Sequence, residues 1–133
     1  MSETPITIEL GGQKFVRTPD MKVITLTNPT AADTGGIAME NAGIDYVVPA
    51  LKVFKILEIR YNCGHTSPYF GHFMDSASAD VNTGTKIYSG IFPNTSSFNA
   101  NVDIDIATTR FINIVGVAST KKHATIVGIE MDA

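Results

Sequence analysis

The sequence predicts an all-β protein, an antiparallel sandwich of about eight or nine strands with a single jelly roll as its topology, and three observations predict it. Ile and Val together number 25 against four Leu, and Thr numbers 15, a bias toward side chains that suit a pleated surface better than a helix. Apolar-rich runs alternate with clusters of Gly, Pro, Asn, Ser and Thr, the punctuation of strands and turns. No stretch shows the apolar period of an amphipathic helix and no segment repeats at a fixed interval, which leaves layered sheets as the way to bury a core. An immunoglobulin-like sandwich fits less well, because the chain has one Cys and no Trp where that framework needs Cys, Trp and Cys. At 133 residues, 1–133 reads as one sandwich domain, large enough to form a core without staples.

The elements follow in order. Residues 5–10 and 13–17 alternate apolar and polar around Gly11-Gly12, the signal for a tight hairpin with positive φ in the turn. Residues 21–28 form a third strand that buries either Val23 with Thr25 or Ile24 with Leu26, and pattern alone leaves both open. Residues 30–42 lack strand character; a helical turn over 37–41 is the only regular structure they suggest, and Gly35-Gly36 lacks the Gly-Lys-Ser/Thr sequel of a phosphate loop. Tyr46, Val47 and Val48 read as a strand end before a Pro49-Ala50 break. Residues 52–62 are the longest β pattern, with Val53, Leu57, Ile59 and Tyr61 on one face and Phe54, Ile56, Glu58 and Arg60 on the other.

Residues 69–75 are a short aromatic strand, 76–85 a loop of small polar residues free to reach partners, 86–92 a strand and 93–100 a second polar loop. In 101–107, Val102, Ile104 and Ile106 face in while Asn101, Asp103 and Asp105 face out. Residues 110–119 and 124–132 are joined by the short 120–123 turn and read as an antiparallel hairpin, with Gly116 and Gly128 marking bulges or close backbone approach.

Composition narrows the function classes. The net charge is −3, and only Lys121-Lys122 are adjacent cations, so no basic patch exists to neutralise a run of phosphates, and nucleic acid is excluded as the partner. No run of apolar residues approaches a membrane span, and the opening MSETPITIEL lacks the basic and apolar regions of a Sec signal. The reading is therefore no membrane and synthesis in a cytoplasm. Asn94-Thr95-Ser96 fits a glycosylation acceptor, which has little meaning without secretion. Cys63, the single cysteine, forms no internal disulfide and reads as a small half-buried residue rather than a nucleophile.

No constellation carries chemistry. A cupin metal site needs His-x-His and a following Glu, whereas His65 and His72 are followed only by Asp75, and His123 is remote in sequence. Asn99, Asn101, Asp103 and Asp105 share a face, but residues two apart on a strand lie ~7 Å from each other, too far to share a calcium ion. There is no Gly-x-Ser-x-Gly elbow. Tyr69, Phe70, Phe73 and Tyr88 could make a platform for sugar, yet alternation gives most of them a core role. The expectation is no enzyme, no catalytic or metal residues and no cofactor.

The run Tyr46-Val47-Val48-Pro49-Ala50-Leu51-Lys52-Val53-Phe54-Lys55-Ile56 resembles a "vPaGkvfki"-like phrase of small β-sandwich proteins on phage virions, with Leu51 where that phrase has Gly. The resemblance implies a capsid decoration or other virion-surface role, commonly as a trimer attached to a larger capsid protein. Three classes stand: such a virion structural protein, a carbohydrate-binding sandwich module, and a cupin-like enzyme. Hydrophobic residues make up 44% of the chain and charged ones 17%, so a monomer would expose a surface poor in charge, and a homo-oligomer is the expectation.

Overall fold

In the computed structural model, residues 7–16, 20–29, 36–63, 69–93, 96–116 and 122–133 are described. They form β1 (Thr7–Leu10), β2 (Gln13–Val16), β3 (Lys22–Thr27), β4 (Gly36–Ala38), β5 (Glu40–Asn41), β6 (Ile44–Asp45), β7 (Lys52–Cys63), β8 (Tyr69–Ser76), β9 (Thr85–Phe92), β10 (Phe98–Ile106), β11 (Phe111–Gly116) and β12 (Lys122–Asp132), with no helix among them. One sheet runs β10-β7-β12-β3-β5-β6 and the other β4-β11-β8-β9, every pair antiparallel. Leaving aside β5, β6 and the separate β1-β2 hairpin, two four-stranded sheets face each other. The chain passes back and forth between them, staying in one sheet from β8 to β9, in the connectivity of a jelly roll.

The two inner faces supply one core. Phe54, Ile56, Ile59 and Tyr61 of β7, Leu26 of β3, Ile106 of β10 and Ile126 of β12 meet Phe73 of β8, Phe92 of β9 and Ile112 and Ile114 of β11. On β3 the alternation resolves to Ile24 and Leu26 inward. Fully burying each such side chain contributes roughly 1.5–3 kcal/mol.

Strand β7 changes face in mid-course. Phe54 and Ile56 point in, as do Ile59 and Tyr61, and the switch occurs at a bulge: Val127 opposes Glu58 and Gly128 opposes Ile56, leaving Leu57 without an opposite residue on β12. The regular alternation expected for 52–62 is corrected accordingly, because one extra residue exchanges the two faces. Gly128 meets the bulge closely; a Cβ there would lie 2.3 Å from the Lys55 carbonyl oxygen and 2.6 Å from the Phe54 ring. Leu57 is fully buried outside the core cluster, beneath the β1-β2 turn. Gly11 and Gly12 take φ of 58° and 75° in that turn, as the hairpin signal requires, and the Gly11 amide donates to Glu58 Oε1 at 3.1 Å.

Other expectations are revised. β11 and β12 are not a hairpin: β11 pairs with β4 and β8, β12 with β3 and β7, because the chain crosses between sheets where a hairpin would stay in one. The helical turn over 37–41 is instead β4 and β5, while 30–35 lie outside the described residues. Tyr46–Val48 is not a strand end but a single bridge from Val47 to Phe111. The polar loop expected over 93–100 gives way at Phe98 to β10.

The 76–85 segment is no free loop either. The fully buried Asn113 donates from Nδ2 to the carbonyls of Ser78 and Val81, both at 3.1 Å, and accepts from the Asp80 amide at 3.3 Å. Asp80 Oδ1 in turn accepts from the Ala38 amide at 2.8 Å. The segment is buttoned down against β11 and β4, which satisfies polar groups that burial would otherwise leave costly.

Candidate interaction surface

The residues with chemical potential do not converge. His72 is buried on β8, where burial first, and then the charge of Lys86, holds its imidazole below the usual histidine value. His123 is exposed on β12 in the other sheet, and His65 lies outside the described residues. No group of three His, Cys, Asp or Glu side chains able to hold a metal ion occurs among the described residues. The side chains of Cys63, Tyr69 and Phe70 lie outside those described, as does part of the Asn94-Thr95-Ser96 acceptor, whereas Phe73 is core and Tyr88 shares a 2.9 Å hydrogen bond with Tyr61.

Asp103 and Asp105 do face out, and they grip a cation rather than await one. Lys55 Nζ lies 2.7 Å from Asp103 Oδ1 and 3.0 Å from Asp105 Oδ1, and Gln13 Nε2 donates to Asp103 Oδ2 at 3.2 Å. The Lys55 contact first, then that of Gln13, holds the Asp103 carboxyl below its ordinary value.

The two flanks of the sandwich differ. On one, residues 36–48 stitch the sheets together: β4 belongs to the small sheet, β5 and β6 to the large one, and Val47 bridges back to the small one. The Val48 amide donates to the Arg110 carbonyl at 3.1 Å, and Tyr46 Oη donates to the buried Glu130 at 3.0 Å. On the other flank β9 ends the small sheet and β10 the large one. Both sit over Tyr61, whose ring lies 4.5 Å from that of Phe92 and 5.5 Å from that of Phe98. Among the described residues no strand pairs with the outer edge of either.

These open edges are unequal. β10 carries Asp103 and Asp105 and a register break between Asn101 and Ile104, the charges and irregularity that blunt an edge against pairing. β9 has its own break at Ile87, but Tyr88-Ser89-Gly90-Ile91-Phe92 beyond it carries no charge and no proline. Ile91 is 64% exposed, and Phe98 on β10 is 52% exposed.

No protein-family model matches the chain, and no curated protein matches it. One solved structure is similar, reported for Bacillus endospore appendages that form a family of disulfide-linked pili; the TM-score is 0.46 and the sequence identity 17%, over 84% of this chain and 86% of that one. A likeness of that order decides nothing about this chain.

The buried Asn113 and the open flank differ in what the sequence says of them. Asn113 does leave a signal, a lone amide inside the apolar run Phe111-Ile112-Asn113-Ile114-Val115. The open flank leaves none, because which strands end a sheet is set by long-range pairing.

Proposed function

We propose that this chain is a non-enzymatic structural subunit that associates with its own copies and, through them, with a larger protein assembly. The observation that carries the reading is the asymmetry of the flanks: one is closed by 36–48, while the other presents two open sheet edges, with Ile91 exposed on β9 and Phe98 exposed on β10. An uncharged edge of this kind is a template for pairing with another chain. Such a flank suits a ring in which it faces a rotation axis, with the uncharged β9 edge directed at a neighbour and the charged β10 edge left out of strand pairing.

We take the ring as a trimer and the assembly as a virion surface, with the chain made in the host cytoplasm as one sandwich domain. The resemblance of 46–56 to virion sandwich proteins supports this choice, and Leu51 supports it further. Leu51 adopts φ of 63°, the conformation a glycine would hold at the matching position.

Light scattering at micromolar concentration tests the association. The expected species has three times the 14.3 kDa chain mass, and Ile91→Lys, on an exposed site, reduces it to a monomer. A wild-type monomer that persists on concentration overturns the reading, and a stable dimer removes the trimer. Immunodetection of the chain on gradient-purified particles tests the virion location.

A further inference from the structure

The outer face of the large sheet carries a second feature, independent of the open flank. Its register aligns Asn99 of β10, Arg60 of β7, Thr125 of β12, Thr27 of β3 and Glu40 of β5 in one row across the sheet. Asn62 and His123 stand opposite each other in the next outward-facing row. Where the rows meet there is a cleft of about 250 Å³, lined chiefly by Thr27, Arg60, Asn62, Ser97, His123 and Thr125.

Three properties of the cleft define its ligand. Among the described residues the lining includes a guanidinium and an imidazole but no carboxylate, and neither Arg60 nor His123 is part of an ion pair. The remaining polar groups are hydroxyls and amides, which both donate and accept hydrogen bonds, and some are already fixed: Asn62 Nδ2 donates to Ser97 Oγ at 3.2 Å, and Asn28 Oδ1 accepts from the Ala124 amide at 2.9 Å. Finally, among the described residues the cleft's apolar lining is confined to Ala124 and Tyr61, and the Tyr61 ring belongs to the core. A docking protein would want an apolar anchor point.

We propose that this cleft binds one acidic sugar residue, a pyranose ring bearing a carboxylate. Arg60 meets the carboxylate with its planar fork, assisted by His123, and the Thr, Asn and Ser side chains bond the ring hydroxyls. The volume suits a single ring rather than a drug-sized ligand.

Nuclear magnetic resonance titration of the full chain with glucuronate, glucose and acetate tests the assignment. Glucuronate is expected to shift the amide signals of Arg60, Asn62, Ser97, His123 and Thr125 saturably, with half-saturation on the order of 1 mM for a ligand of ~13 non-hydrogen atoms. Glucose, lacking the carboxylate, and acetate, lacking the ring, should each bind at least about tenfold more weakly. Arg60→Gln and His123→Gln alter exposed side chains, so the rest of the spectrum should stay unchanged while glucuronate affinity falls about tenfold in each. Absence of saturation at roughly fifty times the expected concentration overturns the site. Equal binding of acetate overturns the sugar, equal binding of glucose overturns the acidic group, and undiminished binding by both variants overturns the residue assignment.

Discussion

Leu51 shows how far one residue can depart from its own preferences. It is the third residue of a turn closed by the Lys52 amide donating to the Pro49 carbonyl at 3.1 Å, it holds φ of 63°, and its side chain is 82% exposed. A left-handed conformation strains a branched residue and suits glycine. We therefore expect Leu51→Gly to stabilise the fold by about 0.5–1 kcal/mol, read as a higher urea midpoint at unchanged slope. Asn113 is the opposite case, a polar residue whose burial is fully compensated. Asn113→Ala should cost about 3 kcal/mol by stranding two carbonyls and an amide, and hydrogen exchange should show faster opening of 77–84 than of β7. His72 adds a pH dependence. Its folded-state value is lowered by burial and by Lys86, so the unfolded chain takes up the proton more readily. Its contribution to stability is complete above the unfolded value of about 6.5 and is lost as pH falls through that value toward the folded one. Melting temperature should fall as pH drops from about 7.5 to 5, and His72→Gln should flatten that slope.

At the level of elements, local signals were legible where the chain folds on itself over a short distance. Gly11-Gly12 announced the β1-β2 hairpin, and the alternation of Asn101 to Ala107 announced most of β10. The apolar mixture on both sides of 53–57 had a local cause that parity alone could not place, since a bulge becomes evident only against the register of its neighbour. β4, β5 and β6, of three, two and two residues, are too short to show any period. The short link between β11 and β12 looks the same in sequence whether the next strand turns back or crosses to the facing sheet. Of the candidate surface, the charged face of β10 was legible as exposed, but its capture of Lys55 was not, because Lys55 and Asp103 meet only through strand pairing. The bulge itself makes a sharp expectation: Gly128→Ala would force a methyl against the Lys55 carbonyl and the Phe54 ring. The loss should be about 3 kcal/mol, at the upper end for overpacking, seen as a lower denaturation midpoint.

For the whole molecule, the position of β12 has a consequence in time. The last strand described is internal to its sheet, lying between β7 and β3, and Ile24 of β3 pairs across to Gly128. On a ribosome, β3 emerges with Ile24 and Leu26 unprotected; β5 meets it only at Thr27, and its long partner β12 lies some ~100 residues behind it, roughly 5–20 s at ~5–20 residues per second. The large sheet cannot close around its core during that interval, so a nascent chain stalled before Lys122 should remain sensitive to protease along its whole emerged length. Release of a chain carried through Asp132 should be followed by protection of β3, β7 and β12 together. Synthesis from one end thus gives the large sheet no head start, and its inner face stays unclosed until β12 has emerged.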